Sequence, residues 1–140
     1  MSGRVLVVDD NKVIRQLIRV NLELEGFEVV TAADGAECLD IVHRVCPDVV
    51  TLDVVMPRLD GIETALALRA DPRTGGVPIA MVSACTQAEV EAGVAAGVNA
   101  FLGKPFDPAE LVNLVRRLAH SGGQSGEPAT GEPATAPGGG

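Results

Sequence analysis

The chain has 140 residues, of which 46% are hydrophobic and only 2% aromatic. That length suits one modest domain, its core built from Val, Leu, Ile and Ala around Phe27, Phe101 and Phe106. A formal net charge of −8, with no basic block denser than Arg116-Arg117, argues against non-specific binding of nucleic acid.

Val5-Leu6-Val7-Val8 is the first of four short apolar runs that read as buried strands, and it ends on Asp9-Asp10. Asn11 can cap a helix over roughly 12–25, with Val13, Ile14, Leu17, Ile18, Val20 and Leu24 as a broad apolar stripe. Gly26 supplies a left-handed stop, with Phe27 placed to pack back on the last turn. Glu28 to Ala32 reads as a second strand. Asp34 caps the next helix, in which Cys38, Leu39, Val42 and Val45 share a face, and which ends before Pro47. Val49-Val50-Thr51-Leu52 runs into Asp53. Met56-Pro57-Arg58-Leu59-Asp60-Gly61 reads as a loop, with a helix from about Ile62 to Arg69 after it.

A second loop, residues 71–76, precedes Ile79-Ala80-Met81-Val82, which runs into Ser83. Thr86-Gln87-Ala88-Glu89 is a capping box for a helix that ends near Gly97. Ala100-Phe101-Leu102-Gly103 runs into Lys104. Asp107-Pro108-Ala109-Glu110 then sets a cap, an N1 proline and an N3 glutamate ahead of Leu111 to His120. The alternation is (βα)5 with crossovers long enough for helices. It predicts an α/β fold whose parallel sheet carries helices on both faces.

The folded unit is expected over residues 3–120. Residues 121–140 contain only Gly, Pro, Ser, Ala, Thr, Gln and Glu, with Gly126-Glu127-Pro128-Ala129-Thr130 repeated at 131–135. Such a segment reads as a disordered tail, or as a linker to a further domain. Cys38, Cys46 and Cys85 show no C-x-x-C spacing and read as buried, reduced thiols. No stretch has the apolar length of a membrane span, and Arg4 enters a strand at once, with no signal peptide before it. A cytoplasmic location is expected.

In an open parallel sheet, ligands bind outside the carboxyl ends of the strands. Side by side, the four runs would gather Asp9, Asp10, Asp53, Ser83 and Lys104 on one rim. Taken singly, each has a plainer reading: helix capping for Asp9-Asp10, turn chemistry for Asp53, a solvated lysine, a capping serine. Their coincidence at four strand ends favours a site. Three crowded carboxylates resist joint ionisation unless a cation joins them, and a hard divalent ion such as Mg²⁺ suits oxygen ligands. Asp53 is the best placed to attack a phosphoryl group and form an aspartyl phosphate. Ser83 and Lys104 could then stabilise the phosphoryl oxygens.

Five motifs in order carry a closer resemblance: Val-Val-Asp-Asp at residues 7–10; Leu52-Asp53-Val54-Val55-Met56-Pro57 with Asp60-Gly61; Met81-Val82-Ser83-Ala84; Ala96-Gly97-Val98-Asn99-Ala100-Phe101; and Lys104-Pro105-Phe106. Over residues 4–118 the chain resembles the receiver domains of two-component response regulators. The resemblance implies a flavodoxin-like, doubly wound sheet in strand order 2-1-3-4-5. It implies Asp53 as phosphoacceptor from a sensor histidine kinase or a histidine phosphotransfer protein, and Mg²⁺ held by Asp10, Asp53 and the Val55 carbonyl, with Asp9 acting mainly through water.

Ser83, Ala84, Lys104 and Phe101 become the phosphoryl-binding and switch residues, and Lys104-Pro105 a cis peptide. A downstream protein would bind the face of helix four, strand five and helix five, the chain being a monomer or a phosphorylation-dependent dimer. Position 83 carries Ser where Thr is common, and position 101 carries Phe without the tyrosine hydroxyl. Val55 and Cys85 would flank the phosphoryl group, and His43 and His120 read as exposed structural residues.

The expectation is a regulator without catalytic turnover, signalling by protein contact with neither nucleic acid nor membrane. The alternative is a Mg²⁺-dependent phosphohydrolase with an aspartyl-phosphate intermediate. The haloacid-dehalogenase-like group needs an Asp-x-Asp pair for that chemistry, and the residue two beyond Asp53 is Val55.

Overall fold

The computed structural model describes residues 3–122, and the repeat of the expected tail lies outside the described residues. Strands β1 (Arg4–Val8), β2 (Glu28–Ala32), β3 (Val49–Leu52), β4 (Ile79–Ser83) and β5 (Ala100–Gly103) alternate with helices α1 (Lys12–Leu24), α2 (Gly35–Val45), α3 (Gly61–Ala70), α4 (Gln87–Ala95) and α5 (Pro108–Gly122). The strands form one parallel sheet in the order β2-β1-β3-β4-β5, the flavodoxin-like arrangement. Strand order reverses at β1, so a cleft opens outside the carboxyl ends of β1 and β3.

Alternate residues of each strand face opposite sides of the sheet. Leu6, Val8, Val50, Leu52 and Met81 pack with Cys38 and Val42 of α2 and Ala65 and Leu68 of α3. Val5, Val7, Val49 and Val82 pack with Ile18 and Leu22 of α1 and Leu111 and Val115 of α5. Burial on both faces explains why β1, β3 and β4 read as near-continuous apolar runs, whereas the edge strand β2, exposed at Glu28, does not.

The helix ends follow the expected chemistry, with one correction at α3 and two more in what the helices bury. Asn11 accepts from the backbone N–H groups of Val13 and Ile14. Gly26, at φ 94°, closes α1. There the Phe27 N–H reaches the Leu22 carbonyl at 3.1 Å and the Gly26 N–H reaches Glu23 at 3.0 Å.

Helix α3, expected to start near Ile62, starts at Gly61, because Asp60 caps it in a capping box with Glu63. In α1 only Ile18 and Leu22 are buried, whereas Val13, Leu17, Val20 and Leu24 of the expected stripe are exposed. The apolar arc is wider than the sheet can cover. Cys38 is buried as expected, but Cys46 is exposed at a left-handed C-cap, φ 49°, and Cys85 is half-buried; none is in a disulfide. No helix among the described residues is long and apolar enough to cross a membrane.

Candidate functional site

The sheet register brings the acidic residues together. Val8 pairs with Leu52 across β1 and β3, so the next residues, Asp9 and Asp53, leave the sheet side by side. The Asp53 N–H donates to the Val8 carbonyl at 3.0 Å, extending the ladder by one step. Asp9 is 1% exposed and Asp53 9%, while Asp10 lies open at the mouth. One carboxylate oxygen from each of the three lies within 4.8 Å of the others. On the far side Ser83 pairs with Gly103 across β4 and β5, which delivers Lys104 to the same rim through a bond from its N–H to the Ser83 carbonyl, 2.7 Å.

Lys104 Nζ bridges the two buried carboxylates, 2.9 Å from Asp9 Oδ2 and 3.2 Å from Asp53 Oδ2. The Lys104-Pro105 peptide is cis. Burial, and then the charge of Asp9, push the Asp53 carboxyl above its usual range, although Lys104 pulls the other way. Burial acts to lower the Lys104 ammonium, but the hydrogen bond and charge of Asp9, with those of Asp53, outweigh it and hold it above its usual range. Asp9 is fixed further by the Asn11 N–H on its Oδ1 at 2.9 Å, and Arg15 donates to its backbone carbonyl at 2.7 Å. One lysine therefore faces two buried acids and a third nearby. That excess of crowded oxygen donors fits a hard divalent cation such as Mg²⁺.

The loop after β3 is held from two directions. Gly61 sits where a Cβ would collide with the Asp53 carbonyl oxygen, so α3 begins directly against the backbone of Asp53. Arg58, in left-handed conformation at φ 67°, forks onto Asp34 with bonds of 2.9 and 3.0 Å. This clasp ties the segment carrying Val55, Met56 and Pro57 to the first turn of α2. The sequence reading missed it, since nothing in the spacing of Asp34 and Arg58 announces a contact across 24 residues. Val55 projects outward, 72% exposed, and Ala84 is also exposed.

Ser83 is buried at the end of β4, and its hydroxyl donates to Glu89 Oε1 at 3.1 Å and accepts from the Cys85 N–H at 3.1 Å. Phe101 is half-buried on β5, its ring so close to α4 that a Cβ on Gly93 would stand 2.7 Å from Cε2. His43 is no isolated surface residue: Nε2 lies 2.8 Å from Asp71 Oδ2, far from the acidic rim. Arg116 of the basic pair binds Glu25 at 3.0 Å.

Residues 5–116 match the family model described as the response regulator receiver domain. The DNA-binding response regulator MtrA of Mycobacterium tuberculosis is 39% identical over 117 residues, 83% of this chain and 50% of MtrA. This chain thus spans about half the length of the curated relatives it matches, some of which are DNA-binding, so they lend no support to the expected lack of nucleic-acid contact. The solved chemotaxis protein CheY4 of Vibrio cholerae superposes with a TM-score of 0.80 at 35% identity, covering 84% of this chain and 99% of CheY4. The receiver domain of the Pseudomonas aeruginosa sensor histidine kinase PA1611, solved with a magnesium ion in its active-site cleft, gives 0.79 at 31% identity over 86% and 99%. Fold, site geometry and sequence agree: the chain belongs to the response regulator receiver domain family.

Proposed function

We propose that this receiver domain is a phosphorylation-controlled switch in which Asp53 takes the phosphoryl group of a phosphohistidine on a sensor kinase or phosphotransfer protein. A carboxylate oxygen of Asp53 attacks phosphorus, the P–N bond breaks, and the imidazole of the donor leaves. No general base is required, because an ionised carboxylate has no proton to lose. The observation that carries the reading is Lys104 Nζ lying within 3.2 Å of both Asp9 and Asp53, a cation already aimed at the nucleophile. Asp10, Asp53 and the Val55 carbonyl are the proposed direct ligands of Mg²⁺, with Asp9 in the outer shell. Bound there, the ion would neutralise charge on the phosphoryl oxygens. Lys104 takes one phosphoryl oxygen, and Ser83, beside the exposed Ala84, takes another.

The donor has to reach a cleft bounded by the start of α1. The exposed Val13, Leu17, Val20 and Leu24 run down that helix from the rim and suit an apolar helix of the donor. The output surface is the face of α4, β5 and α5, where Val94 stands 62% exposed and Phe101 packs beneath. Three cysteines outside any disulfide agree with a cytoplasmic, reducing setting.

Incubation with acetyl phosphate and Mg²⁺, followed by intact-mass measurement, tests the assignment. One labile phosphoryl per chain is expected, absent in Asp53→Asn. Rapid multiple turnover of phosphomonoesters would favour the phosphohydrolase instead.

A further inference from the structure

We propose that Glu89 is the positioning residue that couples the Ser83 hydroxyl to the N-terminus of α4, holding that hydroxyl away from the phosphoryl site until Asp53 is modified. The inference rests on the reading of Asp53 as phosphoacceptor and adds how occupancy leaves the site. Glu89 Oε1 has two partners. It accepts from Ser83 Oγ at 3.1 Å and from the Thr86 N–H at 3.4 Å. Thr86 Oγ1 in turn accepts from the Glu89 N–H at 3.2 Å, closing the capping box of α4. A single carboxylate oxygen therefore holds both the end of β4 and the first turn of the helix after it.

A serine hydroxyl carries one proton and can donate it to one strong acceptor at a time. With Ser83 only 2% exposed, water offers no easy substitute partner. A phosphoryl group on Asp53 competes with Glu89 for that proton, and its negative charge disfavours a second anion on the same hydroxyl. When Ser83 turns to the phosphoryl oxygen, Glu89 keeps only its contacts within the capping box, and the first turn of α4 is free to re-seat. Phe101 lacks a hydroxyl and packs against Gly93 further along the same helix. The polar half of the signal therefore passes through Glu89.

The experiment measures the lifetime of the phosphorylated protein after removal of acetyl phosphate, by intact mass, in the full chain. Glu89→Ala frees the Ser83 proton to bond the resting phosphoryl group, whose oxygens carry more charge than those of a loose, metaphosphate-like transition state, and is expected to lengthen the lifetime roughly fivefold, the equivalent of one ordinary hydrogen bond. In a Ser83→Ala background the same substitution should change nothing. Thr86→Ala weakens the cap without touching Ser83 and should leave the lifetime at its wild-type value. Lengthening by Glu89→Ala that persists without Ser83, or that Thr86→Ala reproduces, would reduce Glu89 to a helix cap and overturn the proposal.

Amide hydrogen exchange of the unphosphorylated protein supplies a readout that needs no phosphoryl group. Ser83→Ala should speed exchange at Glu89 and Val90, and unchanged rates there overturn the link whatever the lifetimes do. A wild-type chain that takes up no phosphoryl group would instead overturn the reading of Asp53, with the exchange data still deciding whether Ser83, Glu89 and α4 are coupled.

Discussion

The two rims of the sheet carry charge in opposite ways. At the amino ends of the strands, Arg4, Asp71 and Arg69 have each found their partners. Arg4 binds Glu28 and the Val45 carbonyl. Asp71 holds Arg73 and His43. Arg69 spends its guanidinium on the carbonyls of Gly75, Val77 and Gly97 and on Asn99 Oδ1, at 2.6 to 3.0 Å. At the carboxyl ends Asp34 and Arg58 are paired as well, but Asp9 and Asp53 are buried beside each other with a single lysine, Lys104, between them. The contrast is legible in the carboxyl groups themselves: Asp71 is pushed down to about 2, first by the Arg73 backbone N–H and then by its side chain, whereas burial and Asp9 push Asp53 up. A rim that satisfies its charges serves stability, and a rim left in electrostatic conflict serves binding.

The largest effect expected from this contrast is at the satisfied rim. Arg69→Ala strips the partner from the backbone carbonyls of Gly75, Val77 and Gly97, in a pocket where burial lowers the guanidinium pKa, while Asn99 Oδ1 keeps its bond from the Ile79 N–H. A loss of about 2–4 kcal/mol in urea unfolding is expected. Phosphoryl uptake per folded molecule should be unchanged. If uptake falls in step with stability, the two rims are not separable and the comparison fails.

The conflicted rim gives the next effect. Mg²⁺ at tenfold over its dissociation constant should stabilise the wild type by about 1.4 kcal/mol, a rise of several degrees in Tm that a chelator reverses. Asp53→Asn removes one of the repelling carboxylates. Its metal-free form should be no less stable than the wild type, and its response to Mg²⁺ should shrink. Arg69→Ala should keep the full Mg²⁺ response. A metal-free Asp53→Asn well below the wild type would mean that the bridge to Lys104 outweighs the repulsion, contrary to the direction of the Asp53 shift.

Most of this geometry could be read in the sequence because buried parallel strands leave a clear trace. Val5 to Val8 are apolar on both faces, and Val49 to Leu52 are buried throughout with only Thr51 polar among them, so the carboxylate that follows each run marks the rim. The Asp60-x-x-Glu63 box was equally legible and has the spacing of Thr86-x-x-Glu89, but reading residues 56–61 as one loop concealed it. The exposed side of α1 was not legible, since an exposed leucine and a core leucine can share the same periodicity. Nor were the contacts that depend on left-handed residues. Arg58 reaches Asp34 from φ 67°, and Cys85, at φ 55°, turns the chain between Ser83 and Glu89. Left-handed backbone at Arg or Cys is decided by tertiary contacts, not by local preference.

The smallest effect sharpens the comparison through pH. Asp71 is exposed enough that its ion pairs count for little in bulk stability, but the sign of its linkage is fixed. Its folded value of about 2 lies below the roughly 3.9 of an unfolded aspartate, so between those values the unfolded chain binds more protons. The stabilisation is complete above the unfolded value and is lost as pH falls through the folded one. Asp71→Asn keeps an acceptor for the Arg73 N–H and cannot titrate. The urea midpoint of the wild type relative to this variant should therefore decline from about pH 4 towards pH 2. A difference that stays level over that interval would show that the Arg73 and His43 contacts do not hold the carboxylate in solution. The amino-end rim would then owe its stability to Arg69 and the buried strands rather than to paired surface charge.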